Sequence, residues 1–479
     1  MLHETGSFAH EVIALSWVGW HTTHTVFRGE DRVGNRGVTG PLIEKPVQVT
    51  LGRFFVLGHG RMLELTLALR RAFEAAAGSA HGKRHEPSPW FAERIALYFS
   101  ALFLIYGVHI SYFPVWLHWR GLGPEAIGTI TAVPIFLRTV LTPWIGAQAD
   151  TRHNHRQMII AMSVACTGFA LAISQCNGFW PIFAMSVPFA ILISSIMPLT
   201  ETLAVTGVRT AGHDYGRMRL WGSAMFLVTT VVTGMLVDKD GPGIAIYVMI
   251  AAAFATVGAA LMLPKPVGEG GRDVGTVKPP VDSGLVTALL SKPMFVAFLF
   301  AVGAVMGSHA TFYTFGALHL KEQGISGAAF GALWTISIFA EMALLAFSAP
   351  LVERFGPVRL LIAGAAGGVV RWGAMGLDPS FGIVVGLQVL HALTYGATHV
   401  GAIHFIARAV PHRGAGTAQA LYSAIGSGLI TGAATIMAGQ FYPHLAGKTF
   451  LVMAALSGAG LAVAIWIEKT WDKKPIFGK

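Results

Sequence analysis

Charged residues and cysteines are scarce in this sequence of 479 residues. Only 12% of the residues are Asp, Glu, Lys or Arg, against about 25% in an ordinary soluble domain. The apolar content of 53% and the mean hydropathy of +0.59 exclude disorder for most of the chain. So few charges could not cover that much apolar side chain on a soluble globule. We therefore expect most of the chain to lie in a lipid bilayer.

Motifs that would indicate other classes of protein are also missing. The sequence contains no GxxxxGK[ST] phosphate loop, no GxSxG and no HExxH, so direct ATP use and common hydrolase chemistry are not indicated. Cys166 and Cys176 lie in one apolar run, about 15 Å apart along a helix, which is too far for a disulfide. We expect no metal and no other cofactor. Nucleic acid is not expected either, because the excess basic residues are scattered over short loops.

From Trp90 onward, apolar runs recur at the length of about twenty residues that a helix needs to cross a membrane. They predict an all-α membrane protein with twelve transmembrane helices. The predicted spans are 91–117, 124–147, 157–176, 179–206, 217–237, 243–263, 292–320, 325–351, 358–377, 381–407, 414–440 and 445–467.

The charges of the connections predict the orientation, because cytoplasmic loops carry an excess of Lys and Arg. The even-numbered connections, the central connection and the C-terminus are basic, whereas the odd-numbered connections hold few basic residues. We therefore expect both termini in the cytoplasm and the chain in the inner (plasma) membrane. The even-numbered connections contribute Arg152, Arg156, Arg209, Arg217, Arg354, Arg359, Arg408 and Arg413.

A Pro-, Gly- and charge-rich segment, 264–291, predicts a cytoplasmic linker that divides the spans into two halves of six. The expected domains are 89–263 and 292–467, followed by a cytoplasmic tail, 468–479. Residues 1–88 contain no spanning run, and we expect a flexible extension or a wrongly assigned start. Within them, 62–78 fits an amphipathic helix on the membrane surface.

Ionisable residues inside the spans are the best guide to function, because each is costly in lipid and usually faces a cavity or a partner. Glu201 in the fourth span and Arg219 in the fifth form the first candidate pair. Glu341 in the eighth and Arg371 in the ninth form the second. Either pair fits a structural ion pair or a cavity pair that exchanges partners with a ligand. The second-span Arg138 is a weaker candidate, for which a structural contact is the simpler interpretation.

Histidines add titratable groups, since imidazole changes charge near neutral pH. His391 in the tenth span belongs with Glu341 and Arg371, while His309 in the seventh is intermediate. The remaining span histidines, His109, His399 and His404, fit ordinary hydrogen-bonded packing. Those of the tenth span are eight and five residues apart, which does not favour one compact metal site. Aromatic residues such as Tyr313 fit either packing or the lining of an aromatic ligand's site.

Several blocks of the sequence resemble the phenylpropionate permease family of the major facilitator superfamily. The resemblance covers 91–467 and rests on PLTETLA (198–204), DYGRMRLWGSAMF (214–226), SHATFYTF (308–315), LWTISIFAEMALLAF (333–347), GVVRWGAMG (368–376) and LQVLHALTYGATH (387–399). It implies two parallel six-helix halves. It also implies a secondary transporter for a small aromatic carboxylate such as 3-phenylpropionate.

That family is similar in turn to the lactose permeases, which are proton symporters. The similarity implies that Glu201 and Arg219, eighteen residues apart, hold the substrate, and that Glu341, Arg371 and His391 occupy functional positions. One departure is Thr394, which stands where lactose permeases have a proton-bearing Glu. Proton coupling must then use another carrier, for which Glu341 and His391 are the candidates and Glu201 an alternative.

The expected function is therefore proton-coupled symport by alternating access, with Arg371, His309 and Tyr313 joining the Glu201–Arg219 pair at the substrate site. Its partners are a small organic acid, protons and the bilayer, and we expect a monomer. A proton symporter for a sugar or nucleoside is the main alternative, because the same Glu–Arg pair serves neutral polyols in the relatives. A membrane sensor or an intramembrane enzyme is a remote one, since neither an output domain nor a catalytic motif is evident.

Overall fold

Helices account for all regular structure in the part of the chain that is described. The computed structural model describes residues 90–152, 154–264 and 283–476, and within these ranges the backbone forms helices and no β-strand. The predicted extension 1–88, including the proposed surface helix at 62–78, lies outside the described residues. So does most of the predicted central linker.

The N-terminal half contains six helices that match the first six predicted spans. A helix satisfies every backbone polar group within the segment, which is what a long apolar run requires in lipid. Asp214 begins the fifth helix as its N-cap, and its carboxylate accepts hydrogen bonds from the backbone N–H groups of Gly216 and Arg217. The six helices are Phe91–Trp119, Pro124–Arg152, His155–Gln175, Phe179–Ala211, Tyr215–Asp240 and Ile244–Leu261.

The C-terminal half contains the remaining spans, and several of them are interrupted. The seventh span breaks near His309, and the tenth and eleventh each contain a π-helical segment, Ala392–Ala397 and Tyr422–Leu429. The helices are Pro293–Gly307, Ala310–Glu322, Gly327–Ala346, Ser348–Phe355, Pro357–Met375, Phe381–Val389, Thr398–Ala409, Ala415–Leu421, Ile430–Leu445 and Thr449–Thr470.

Eleven helical stretches in the described ranges are long and apolar enough to cross a membrane. The last, Ala415–Thr470, has 56 residues and covers both the eleventh and the twelfth predicted spans. The backbone leaves the helical region at Ala446, with φ 45° and ψ −126°. Before this point the chain packs on the second span, and after it on the ninth. The twelve predicted spans thus correspond to eleven stretches, because the last stretch contains both the eleventh and the twelfth predicted spans.

The C-terminal end of the predicted linker 264–291 contains a short helix that the sequence analysis did not predict. Ser283–Leu290 forms a helix, and Leu289 is fully buried against Phe295 and Phe298 in the core of the C-terminal half. The apolar run LVTALL (285–290) explains the difference, because it buries more surface than an irregular connection would. The Pro-, Gly- and charge-rich composition of the preceding residues led to the prediction of an irregular linker up to residue 291.

Large apolar side chains cover the outside of the helix bundle. Trp144, Trp180 and Trp221 are 60%, 74% and 58% exposed. By contrast, Arg371 and His309 are 1% exposed and lie inside. This inversion of the pattern of a soluble protein indicates a bundle that is surrounded by lipid.

The two halves meet closely at one end of the bundle, which carries the connections 120–123, 241–243 and 323–326 and is called here the odd-connection end. The carboxylate of Asp238, on the fifth span, accepts hydrogen bonds from the backbone N–H groups of Gly327 (2.7 Å) and Ala328 (3.0 Å), at the start of the eighth. The second and eleventh spans also touch, since a Cβ on Gly128 would lie 2.8 Å from the Cα of Gly439.

Candidate functional site

Arg371 is the centre of a polar network inside the C-terminal half. Its Nη1 donates hydrogen bonds to Nδ1 of His391 (3.1 Å) and to Oγ1 of Thr394 (3.2 Å), and its Nη2 donates to Oε1 of Gln388 (2.8 Å). All three acceptors lie on the tenth span. The network therefore ties the ninth span to one face of the tenth.

Glycine on the ninth span allows this close approach. A side chain at Gly364 would collide with Thr398, and its Cβ would lie 2.9 Å from the carbonyl oxygen of Leu393. Arg371 follows seven residues later, on the same face of the helix. The two helices consequently lie close enough for the buried guanidinium to reach three side chains of its neighbour.

The hydrogen bond from Arg371 determines the tautomer of His391. A guanidinium can only donate, so Nδ1 of His391 must accept and carries no hydrogen. We therefore assign the ring hydrogen to Nε2, which lies 3.5 Å from Oε2 of Glu341 on the eighth span. Glu341 is the more accessible partner, with 20% of its side chain exposed against 5% for His391. A second proton on His391 would break its bond to Arg371.

His309 closes the other side of the network, at the break in the seventh span. Its Nδ1 lies 3.1 Å from the carbonyl oxygens of both Val305 and Met306, and its Nε2 lies 3.0 Å from Oγ1 of Thr394. Because carbonyl oxygens only accept, Nδ1 donates and Nε2 accepts from the Thr394 hydroxyl. Thr394 thus links His309 to Arg371 through a chain of hydrogen bonds.

Aromatic rings surround the charged centre. The guanidinium of Arg371 lies 4.4 Å from the ring centroid of Trp372 and 5.4 Å from that of Phe312. Tyr313, a predicted site residue, stacks on Trp334 with centroids 5.4 Å apart. These rings provide an apolar wall with π faces beside a cation, and such a wall fits packing as well as an aromatic ligand.

A row of rings continues from His391 along the tenth span toward the opposite, even-connection end. Tyr395 stacks on His391 at 5.4 Å and on His399 at 6.3 Å, and His399 Nδ1 lies 2.9 Å from the Tyr422 hydroxyl. His404 instead bonds the backbone of its own helix. Of the three histidines on this span, the structure brings only His391 into contact with Arg371. In the described ranges, no three His, Cys, Asp or Glu side chains are placed to hold a metal ion.

The N-terminal half contains a second polar group, built on the fourth and fifth spans. The hydroxyl of Tyr215 donates to Oε1 of Glu201 at 3.2 Å and lies beside the side chain of Arg219. Arg219 donates from Nη1 to Ser223 at 3.3 Å, and its guanidinium lies 4.1 Å from the ring centroid of Phe103. The predicted Glu201–Arg219 pair therefore shares one neighbour, Tyr215.

Sequence reasoning missed the neutral members of the C-terminal network. Ser337 donates to Oε1 of Gln388 at 3.2 Å, so this amide oxygen accepts bonds from two other helices. A signal for them was present, because Gln388, His391 and Thr394 recur every three residues and share one face of a helix. Polar residues at that spacing inside an apolar span indicate a buried partner, here Arg371.

Comparison with known proteins identifies the family. The MFS_1 like family matches residues 95–452. The chain belongs to this family of major facilitator superfamily transporters. It is accordingly a multi-pass membrane transporter and not an enzyme, which confirms the predicted class and the predicted fold.

Two curated relatives are similar along most of this transporter. The probable 3-phenylpropionic acid transporter of Escherichia coli (strain K12) is 29% identical over 366 residues, which are 76% of this chain and 94% of the relative. The maltose permease of Geobacillus stearothermophilus is 26% identical over 380 residues, 78% of this chain and 93% of the relative. Both names describe carriers of small molecules.

A solved structure shares the fold of this transporter. The crystal structure of the nucleoside transporter NupG superposes with a TM-score of 0.70 at 14% sequence identity, covering 80% of this chain and all of that one. At that identity the likeness concerns the fold alone. It agrees with the predicted fold of two helical halves.

Proposed function

We propose that this transporter is a proton-coupled symporter of a small aromatic carboxylate, such as 3-phenylpropionate, and works by alternating access. The observation that carries the proposal is the contact of Glu341 with His391 and, through it, with Arg371. It places an acid able to take up a proton in the same network as a permanent cation. We further propose a monomer in the inner (plasma) membrane with cytoplasmic termini.

Charge balance supports a proton and an anion moving together. With neutral histidines, Arg371 and the Glu341 carboxylate give the described C-terminal network no net charge. Protonation of Glu341 leaves the charge of Arg371 without compensation, which raises the affinity of the site for an anion. By thermodynamic reciprocity, a bound carboxylate then favours the protonated form of Glu341.

Glu341 fits the role of proton carrier better than His391 does. A doubly protonated His391 would lose the hydrogen bond from Arg371 and would bring two cations together. Protonated Glu341 keeps acceptor capacity for the Nε2–H of His391. Thr394, where the similar lactose permeases have an acid, already accepts from Arg371 and donates to His309. We assign the proton to Glu341 and a positioning role to His391.

The aromatic part of the substrate has several rings available. Tyr313 and Trp334 form a stacked wall, and Tyr395 remains 37% exposed next to the stacked His391. Large π surfaces favour a benzene ring over a sugar. The Escherichia coli relative is named as a probable transporter of 3-phenylpropionic acid, which is an aromatic acid, and this name supports the same substrate class.

The conformation fits an inward-facing state. The halves close on each other at the odd-connection end, through Asp238 and through Gly128 and Gly439. The charge pattern of the connections predicts that this end lies outside the cell. Closure on the outer side is a feature of the inward-facing state, one of the two states that alternating access requires.

Proteoliposomes with the purified full chain test this function. We expect saturable entry of labelled 3-phenylpropionate, with an initial rate that rises when the outside is made more acidic than the lumen and falls when a protonophore removes the gradient. Protein-free vesicles supply the background, because a weak acid also crosses lipid unaided. Saturable entry whose initial rate is the same with and without the pH gradient would contradict proton coupling.

A proton symporter of a sugar or nucleoside is the second candidate. It is favoured by the maltose permease relative and by the Glu201–Arg219 group, whose acid and base suit hydroxyl groups. The same vesicles distinguish the two candidates. Entry of labelled maltose or uridine that 3-phenylpropionate does not inhibit would establish the second function and exclude the first.

A further inference from the structure

Arg138, Arg219 and Arg371 were singled out within the spans, and the last two have side-chain partners. Arg371 donates to three side chains, and Arg219 donates to Ser223 and lies on the ring of Phe103. Within the described ranges, Arg138 forms no hydrogen bond, ion pair or ring contact. Its side chain is half-buried, and none of its nitrogens is fully enclosed. Its guanidinium is therefore accessible but unpaired.

Arg138 lies where the two halves face each other. It is the central residue of the helix Pro124–Arg152, about 21 Å from either end and thus near the middle of the bilayer. The residue that follows, Thr139, touches the eleventh span, since a Cβ on Gly428 would lie 2.7 Å from its Oγ1. This turn of the second span is packed directly against the opposite half.

Two tyrosines connect Arg138 to the polar groups of both halves. Tyr106, on the first span, lies within electrostatic range of Arg138 and of Arg219. Tyr395, on the tenth span, lies within electrostatic range of Arg138 and of Glu341. Arg138 consequently stands between the N-terminal group and the C-terminal network, in the space where a substrate would contact both.

We infer that Arg138 binds the carboxylate of the substrate. An unpaired charge near the bilayer centre is costly, and such residues usually face a water-filled cavity or an ionic partner. A carboxylate matches a free guanidinium, because it can accept two parallel hydrogen bonds. Arg371 is enclosed by its own partners in this conformation, so it sets the charge of the site without contacting the anion. This inference rests on the proposed function, since it names the residue that recognises the proposed substrate.

Paired ligands that differ only in charge provide the test. Purified full-length protein is titrated with 3-phenylpropionate and with the neutral 3-phenylpropionamide, and the ratio of the two dissociation constants is measured. We expect the wild type to prefer the acid, and Arg138→Gln to weaken acid binding about tenfold to a hundredfold while amide binding is unchanged. Arg138→Lys should keep part of the preference. Unchanged amide binding also shows that the variant is folded.

Arg359→Gln is the matched control, because it removes one positive charge from an exposed pair with Glu468 and should leave both constants unchanged. An acid preference that survives Arg138→Gln, or that is removed by Arg219→Gln instead, overturns the inference and leaves the proposed function intact. A wild type that binds neither ligand, or binds both equally, overturns the proposed function and the inference with it. That failure is seen in the wild type before any variant is examined.

Discussion

At the scale of residues, the direction of each hydrogen bond in the C-terminal network is determined by chemistry. Arg371 can only donate, so His391 must accept at Nδ1 and present its hydrogen to Glu341. On the other side, Thr394 accepts from Arg371 and donates to His309. Only Glu341 can gain a proton without breaking one of these bonds, and this gives it a distinct role.

Glu341→Gln should therefore separate net transport from exchange. The amide resembles the protonated acid in shape and charge, so the substrate site stays competent while the proton site is lost. We expect exchange of external labelled for internal unlabelled 3-phenylpropionate at a rate within a few-fold of the wild type, and no stimulation of net entry by a pH gradient. Glu353→Gln, an exposed acid at the even-connection end, should behave as the wild type. Gradient-driven entry in Glu341→Gln would exclude Glu341 as the carrier.

The charged members of this network were predicted, whereas the neutral Gln388 and Ser337 were overlooked although the spacing of polar residues on the tenth span indicated a buried partner. Glu341, Arg371, His391 and His309 stand out in a sequence because charge is rare in a span, and the structure brings them together. Thr394 was singled out only as a departure from the lactose permeases, and its residue type indicates no partner, since a hydroxyl in a span can bond to its own helix. Its role as a link depends on the distance between helices, which no local pattern contains.

At the scale of elements, the spans could be predicted from length and hydropathy, but their irregularities could not. The π-helical segments Ala392–Ala397 and Tyr422–Leu429 have the same apolar composition as the helices around them. A π turn carries an extra residue and is often found at functional sites. The first segment contains Thr394, which accepts from Arg371, and Tyr395, which lies within electrostatic range of Arg138, so it determines where these two side chains lie.

The hydrogen bonds between Asp238 and the start of the eighth span hold two elements together, and their contribution to closure of the odd-connection end can be tested. Its carboxylate satisfies two backbone N–H groups that begin a helix, and each bond to a charged group contributes about 1.5–3 kcal/mol. Asp238→Ala should therefore loosen the odd-connection end and shift the population toward the state open on that side.

Lys239 and Lys321 are replaced by cysteine and spin-labelled, and the native Cys166 and Cys176 are replaced by serine. The distance distribution between the two labels then reports opening of the odd-connection end. We expect a longer-distance population to increase about tenfold or more in Asp238→Ala. Asp240→Ala is the matched control, since Asp240 is an exposed acid two residues away on the same helix end. Identical distributions in Asp238→Ala and the control would mean that the carboxylate does not hold the halves together.

At the scale of the whole molecule, the polar groups form one continuous series between the halves. Glu201 and Arg219 lie near Tyr106, which is near Arg138, and Tyr395 continues the series to Glu341. The sequence predicted that such residues would share a chamber, because none could face lipid. It could not predict that Arg138 stands at the junction, because that depends on how the second and eleventh spans meet. This series supports the proposal that both halves contribute polar groups to a single substrate site.

The most direct test of this account measures proton and substrate entry in the same proteoliposomes. A trapped pH-sensitive dye reports the lumen while labelled 3-phenylpropionate is added without an imposed gradient, and vesicles containing Glu341→Gln supply the background of unaided weak-acid entry. We predict that, above this background, wild-type vesicles take up substrate and acidify together, with the same saturation by substrate. Saturable, protein-dependent entry of substrate without any accompanying proton entry would contradict the account.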